Sequence, residues 1–255
     1  MAQAARVVLV TGGGKGVGRG ITEVFLRQGA QVIVCGRSAP DTLPAAGGRE
    51  AVFLPCDVRD SAAVATMFGE IADRYGRLDV LVNNAGGAPF AMADAASPRF
   101  HEKIIALNLL APLQLAQEAN RLMQGQPQGG VVVFVASVSA LRPSPGTAAY
   151  GAAKAGILSL TQSLAVEWAP KVRVVAVTPG LVRTEQSHLH YGDEAGIAKV
   201  SATVPLQRMA TPEDIGEACA WLSSPAASYA SGTHLVLNGG GERPAFLDAA
   251  SVNQT

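Results

Sequence analysis

Short apolar runs alternate with helix-length amphipathic segments along almost the whole chain. Arg6–Val10, Gln31–Cys35, Ala51–Cys56, Val80–Val82, Val131–Val135, Val172–Val177 and about His234–Leu237 read as buried strands. Between them, Ile21, Val24 and Phe25 mark one buried helix face. Val64, Met67, Phe68 and Ile71 mark another, on a helix that Ser61 caps and that runs through Tyr75. Ser97-Pro98 opens a long helix to about Met123, with proline at the first helical position. A further helix runs to about Trp168, and Thr211-Pro212-Glu213-Asp214 starts another. This alternation predicts a parallel sheet covered by helices on both faces.

Two stretches break the rhythm. Residues 38–50 are rich in Pro, Ala and Gly and too broken for a helix, so the second crossover is abbreviated. Residues 184–210 are polar, irregular and long, the profile of a mobile functional loop. There is no internal repeat and no linker, so residues 1–255 read as one domain.

Composition narrows the function. Hydrophobic residues make up 48% and charged ones only 16%, a low charge for a lone monomer's surface that oligomer formation would explain. A formal net charge of zero gives no reason to propose nucleic acid or an anionic membrane as partner. Cys35, Cys56 and Cys219 form no metal spacing, and such a sparse, odd count suits a reducing cytosol. The N-terminal apolar run is only Val7–Val10, so neither a signal peptide nor a membrane span is expected, and the location expected is cytoplasmic. His188 and His190 have no visible partners, so no metal is expected.

Candidate chemistry begins at Thr11–Gly20, between the first strand and the first helix. Its spacing is Gly12-x3-Gly16-x-Gly18 rather than the general GxGxxG. Glycines there let backbone N–H groups approach a pyrophosphate, with the helix N-terminus adding positive potential. The second strand ends in Gly36-Arg37, without the acid that commonly meets an NAD ribose; the nearest is Asp41. Arg37 and Lys15 are candidates to meet a 2′-phosphate, the alternative being solvated surface charges.

Further on, Tyr150 and Lys154 lie one helical turn apart on one face. A free tyrosine, with a pKa of about 10, is a poor base at neutral pH, and lowering it by two to three units takes about 3–4 kcal/mol. A nearby ammonium acts in that direction by favouring phenolate. Ser137, just after the apolar run, offers a hydroxyl to a carbonyl oxygen. Asn108 sits inside the long helix, where an amide is a mediocre helix former. The small residues Ala148, Ala149, Gly151, Ala152, Ala153, Ala155 and Gly156 let a backbone or ligand come close.

Together these pieces resemble a short-chain dehydrogenase/reductase of the single-domain branch, over about residues 6–240. The family's TGxxxGxG loop corresponds to Thr11, Gly12, Gly16 and Gly18, and its Asn-Asn-Ala-Gly element to residues 83–86. Its catalytic Asn, Ser, Tyr and Lys correspond to Asn108, Ser137, Tyr150 and Lys154. Asp57 matches the aspartate beside the adenine, and Pro179, Gly180 and Thr184 match the family's Pro-Gly and following threonine. The chain departs from the pattern in the short 38–50 crossover, in Ala136 where many members have serine, and in Asn238 where aspartate is common.

The resemblance implies an α/β fold, a single Rossmann-type doubly wound parallel sheet of about seven strands. It implies cofactor contacts at Thr11, Gly12, Lys15, Gly16, Val17, Gly18, Arg37, Asp57, Val58, Asn84, Ala85, Gly86, Tyr150, Lys154, Pro179, Gly180 and Thr184. The implied reaction moves a hydride between NADP(H) and a carbonyl or secondary alcohol, of the ketone reductase or 3-oxoacyl-thioester reductase type. An NAD-dependent alcohol or hydroxysteroid-type dehydrogenase is the alternative. A non-catalytic cofactor sensor would be expected to have lost Tyr150 or Lys154. In the implied mechanism Tyr150 exchanges the proton, Lys154 lowers its pKa and binds the nicotinamide ribose, Ser137 polarises the substrate oxygen and Asn108 holds a relay water. A homotetramer is implied, and the lid at 184–210, with Leu189, Ile197, Val200, Val204 and Leu206, suits a bulky hydrophobic substrate.

Overall fold

The computed structural model describes residues 5–249. Seven strands form one sheet: β1 (Val7–Thr11), β2 (Gln31–Gly36), β3 (Val52–Pro55), β4 (Val80–Asn83), β5 (Gly130–Val135), β6 (Val172–Pro179) and β7 (Thr233–Leu237). Their order is β3-β2-β1-β4-β5-β6-β7, with every neighbouring pair parallel. Parallel strands buried on both faces require near-continuous apolar runs, which is what each of these segments supplies.

Side chains alternate between the two faces. Leu9, Ile33, Leu81 and Phe134 point to one core cluster, and Val8, Val10, Val34, Val82 and Val133 to the other. Helices α2 (Ser61–Tyr75), α4 (Ala111–Gln124) and α5 (Ala148–Trp168) cover the first face through Phe68, Ile71, Leu115, Met123 and Ile157. Helix α1 (Gly16–Arg27) and, later in the chain, α7 (Pro212–Leu222) cover the second through Ile21, Phe25, Ile215 and Leu222. Each fully buried side chain of this size contributes about 1.5–3 kcal/mol. The expected doubly wound sheet is therefore present. In the 38–50 crossover the chain makes only a two-residue hairpin, Ala45–Ala46 against Arg49–Glu50, which packs on α1.

Three local expectations change. The cap of α2 is Asp60, whose carboxylate accepts from the Ala62 and Ala63 N–H groups, so Ser61 is already helical. The long helix opens as expected, with Ser97 capping Pro98–Ile105 (α3), but a π-helical turn at Ala106–Leu110 separates it from α4. The 184–210 stretch is more regular than its polarity suggests. It contains a single turn at His188–Tyr191 and a helix α6 (Glu194–Ala202), capped by the Asp193 side chain on the Gly196 N–H. Its base is closed by backbone bonds from Arg183 N to the Ala210 carbonyl (2.8 Å) and from Ala210 N to the Leu181 carbonyl (2.9 Å).

Candidate active site

A cleft of about 950 Å³ opens along the C-terminal ends of the strands. Its floor begins on the loop from β1 to α1, where Gly12 and Gly16 take φ of +64° and +53°, a region open to glycine and strained for other residues. Gly18 is required by space rather than by backbone angle. A Cβ there would strike the Gly12 carbonyl and stand 2.6 Å from the Asn84 amide nitrogen. Thr11 is fully buried, and its hydroxyl accepts from the Asn84 N–H at 3.0 Å and the Ala85 N–H at 2.9 Å. The Asn84 amide returns a bond to the Thr11 carbonyl at 2.9 Å. Thr11 and Asn84 thus lock the ends of β1 and β4 together and fix the loop from below.

The loop cradles an anion in this structure. The N-cap of α1, Lys15, supplies no side-chain cap and the first turn holds no acid. The Gly16 N–H instead donates to the Glu185 carboxylate at 3.0 Å. A helix N-terminus that draws in a carboxylate has the donors and potential that a diphosphate requires, so the site fits a dinucleotide.

The cleft continues past Gly36, Arg37, Ser38 and Asp41 at one end. Pro40 packs against Gly14, and the Arg19 guanidinium reaches the Thr42 carbonyl at 3.3 Å, which pins the 38–44 strip over the glycine loop. Lys15 and Arg37 are both exposed. Asp57 lies just beyond β3 and, with Val58, outside the cleft lining. Its carboxylate accepts from Arg59 at 2.6 Å, and Arg59, with a smaller contribution from Arg37, holds its pKa down to about 2.

At the other end stand Ser137, Tyr150 and Lys154, with Pro179, Gly180 and Thr184 on the opposite wall. Helix α5 presents Tyr150 and Lys154 from successive turns, as their spacing predicts. Lys154 is buried, and its ammonium donates to the Val135 carbonyl at 2.7 Å while lying 5.5 Å from the centre of the Tyr150 ring. Burial lowers the Lys154 pKa to about 8. The expected depression of the Tyr150 pKa is not found in the free protein. Burial raises it, opposed by a hydrogen bond with Ser137.

Asn108 lies within the π turn and is fully buried. Its side-chain oxygen accepts from the Gly87 N–H at 2.8 Å, and its amide donates to the Gly87 and Ile104 carbonyls, both at 2.9 Å. These bonds hold the 86–87 turn beside Lys154, whose Nζ is 3.5 Å from where a Cβ on Gly86 would stand. Sequence reading missed Glu185, Arg19, Ser38 and Thr42. For Glu185 a signal existed: an acid directly after Thr184, itself a cofactor candidate.

Comparison with known proteins agrees with this geometry. The family model described as enoyl-(acyl carrier protein) reductase matches residues 12–242. An uncharacterized short-chain type dehydrogenase/reductase of Sinorhizobium fredii is 37% identical over 246 residues, 93% of this chain but 44% of its own greater length. A "Probable 2,4-dienoyl-CoA reductase" of Bacillus subtilis is 34% identical over 244 residues, 92% of this chain and 96% of its own. Among solved structures, the ligand-free aldohexose dehydrogenase of Thermoplasma acidophilum superposes with a TM-score of 0.86 at 30% identity, covering 92% of this chain and 93% of its own. The motif positions, the cleft and these likenesses make the chain a member of the short-chain dehydrogenase/reductase family and an NAD(P)-dependent oxidoreductase.

Proposed function

We propose that the protein transfers a hydride between NADP(H) and a hydrophobic carbonyl or secondary alcohol, with Asn108, Ser137, Tyr150 and Lys154 as the working residues. The observation that carries this reading is the meeting of Ser137, Tyr150 and Lys154 in the same cleft as the anion-binding glycine loop. The nicotinamide, when bound, supplies or accepts the hydride. Tyr150 donates its proton to the substrate oxygen in reduction and takes one back in oxidation. Ser137 hydrogen-bonds that oxygen and stabilises the charge that develops on it. Lys154 favours the phenolate from one turn away and would hydrogen-bond the nicotinamide ribose of a bound cofactor. Asn108 holds the 86–87 turn beside Lys154 through its side chain, alongside its expected part in holding a relay water.

NADP is favoured over NAD because Lys15 and Arg37 stand exposed in the cleft lining with Gly36, and the end of β2 itself carries no acid. Asp41 lines the same end of the cleft and favours the second reading, an NAD-dependent alcohol or hydroxysteroid-type dehydrogenase in which it meets the ribose 2′-OH. Side-by-side titration with NADPH and NADH separates the two. Following NADPH absorbance with a panel of ketones and 3-oxoacyl thioesters tests the reaction itself, and no turnover across the panel would defeat the substrate class.

The printed substrates of the relatives differ, so the hydrophobic class rests on the segment beyond Thr184. There Leu189 and Leu206 stay exposed and available to substrate, while Ile197 and Val204 are spent on the protein's own packing. Substrate lid and catalytic site belong, in this reading, to one domain. A homotetramer is supported by the exposed apolar side chains Leu110, Val166, Trp221 and Tyr229. A cytoplasmic location is supported by three buried, unpaired cysteines. Among the described residues no helix is long and apolar enough to cross a membrane.

A further inference from the structure

The bond between Glu185 and Gly16 joins two elements that the reaction needs separately. Gly16 opens α1 and belongs to the phosphate cradle, whereas Glu185 belongs to the segment that leads into the substrate lid. The turn that carries the carboxylate is itself ordered by its own bonds: the Thr184 N–H donates to the buried Ser187 hydroxyl at 2.9 Å, and Ser187 N donates to the Thr184 carbonyl at 3.1 Å. The Glu185 carbonyl is engaged by His188 Nδ1 at 3.0 Å, and Arg183 pairs with Glu194 at 2.8 Å. The turn therefore presents one acid to the N-terminus of α1, which has no side-chain cap of its own.

We propose that Glu185 is a built-in competitor of the cofactor's diphosphate, holding the cradle in the free protein and leaving it when the dinucleotide arrives. The inference rests on the nicotinamide-dinucleotide reading above. Two anions cannot share the Gly16 N–H, because like charges at that distance repel and the donor is single. Cofactor entry thus breaks the Glu185 bond, and the first turn of the 184–202 segment loses its tie to α1 at that moment. Affinity for the cofactor is reduced by whatever the contact is worth in the free state, and the lid's freedom becomes conditional on an occupied cradle.

The test is titration of NADPH and NADH, by fluorescence, into the native protein, Glu185→Ala, Glu185→Gln and Glu213→Gln. Glu213 is an exposed carboxylate paired with Arg27 at the far end of α1, so its neutralisation removes a charge near the helix without touching the cradle. Glu185→Ala is expected to tighten both cofactors by about three- to tenfold, in equal ratio because the diphosphate is common to both. Glu185→Gln should fall between native and Ala, and Glu213→Gln should match native. Hydrogen exchange over residues 184–191 of the cofactor-free protein should be faster in Glu185→Ala than in native.

Dissociation constants for Glu185→Ala within about twofold of native, or weaker than native, overturn the proposal. Tightening confined to NADPH also overturns it, since that places the carboxylate near the 2′-phosphate rather than the diphosphate. Binding of neither cofactor by native or variant protein sinks the dinucleotide reading itself, and this inference with it, a result distinct from equal binding by all four proteins.

Discussion

Lys154 ties the carbonyl of Val135 at the end of β5 to the face of the Tyr150 ring, 2.7 Å on one side and 5.5 Å on the other. The ammonium is held there against the cost of burial, which lowers its pKa to about 8 from 10.5. Below about pH 8 the lysine is protonated in both folded and unfolded chains, and the cost is fully present. Between about pH 8 and 10.5 the unfolded chain binds more protons than the folded one, so stability rises with pH; above that range it levels off. Native protein should therefore gain up to about 3 kcal/mol relative to Lys154→Met between neutral pH and about pH 10. Urea unfolding of both proteins across that range checks this, and parallel curves would mean that Lys154 titrates as an ordinary lysine.

Tyr150→Phe removes one hydroxyl and keeps the ring under Lys154. Turnover should fall by at least about 10²-fold while the fold and NADPH affinity stay nearly native. Steady-state kinetics beside a cofactor titration decides it. Near-native turnover would take the proton-transfer role away from Tyr150.

Arg37→Ala should raise the NADPH dissociation constant about tenfold or more and leave NADH little changed, because a charged hydrogen bond contributes about 1.5–3 kcal/mol. An equal loss for both cofactors would show Arg37 acting on a part that they share.

Asn108→Ala leaves the N–H and carbonyl of Gly87 without their side-chain partner. It should cost about 1–3 kcal/mol in urea unfolding and weaken cofactor binding through the displaced 86–87 turn. Native stability in the variant would contradict the positioning role.

The strands were legible because a parallel sheet demands apolar side chains on both faces, and the valine-rich runs at 7–10, 131–135 and 172–177 meet that demand. Caps were legible where one candidate stood alone. Ser97 behaves as expected, and Thr211 forms a reciprocal capping box with Asp214. At Asp60-Ser61 two good caps are adjacent, and only the three-dimensional course of the chain selects the aspartate. The lid helix Glu194–Ala202 was hidden because most of its surface is exposed and its pattern carries no stripe to read. The four catalytic candidates were legible as residues but not in their environments. The raised Tyr150 pKa comes from neighbours brought in by distant elements, and the burial of Asn108 comes from a turn that no local pattern announces.

That turn has a consequence for how the chain tolerates change. A residue added to an α-helix rotates everything after it by about 100°. The π turn at Ala106–Leu110 absorbs such an offset, so that α3 can follow one neighbour's contour while α4 keeps Leu115, Ala119 and Met123 against the sheet. Length between Ser97 and Gln124 is thereby coupled to the 86–87 turn that Asn108 holds. Deleting one residue within the turn would let the helix wind regularly, the lower-energy local choice, but would swing the Asn108 amide off Gly87. Point substitutions that spare Asn108 should be absorbed across this stretch far more readily than any change in the count of residues.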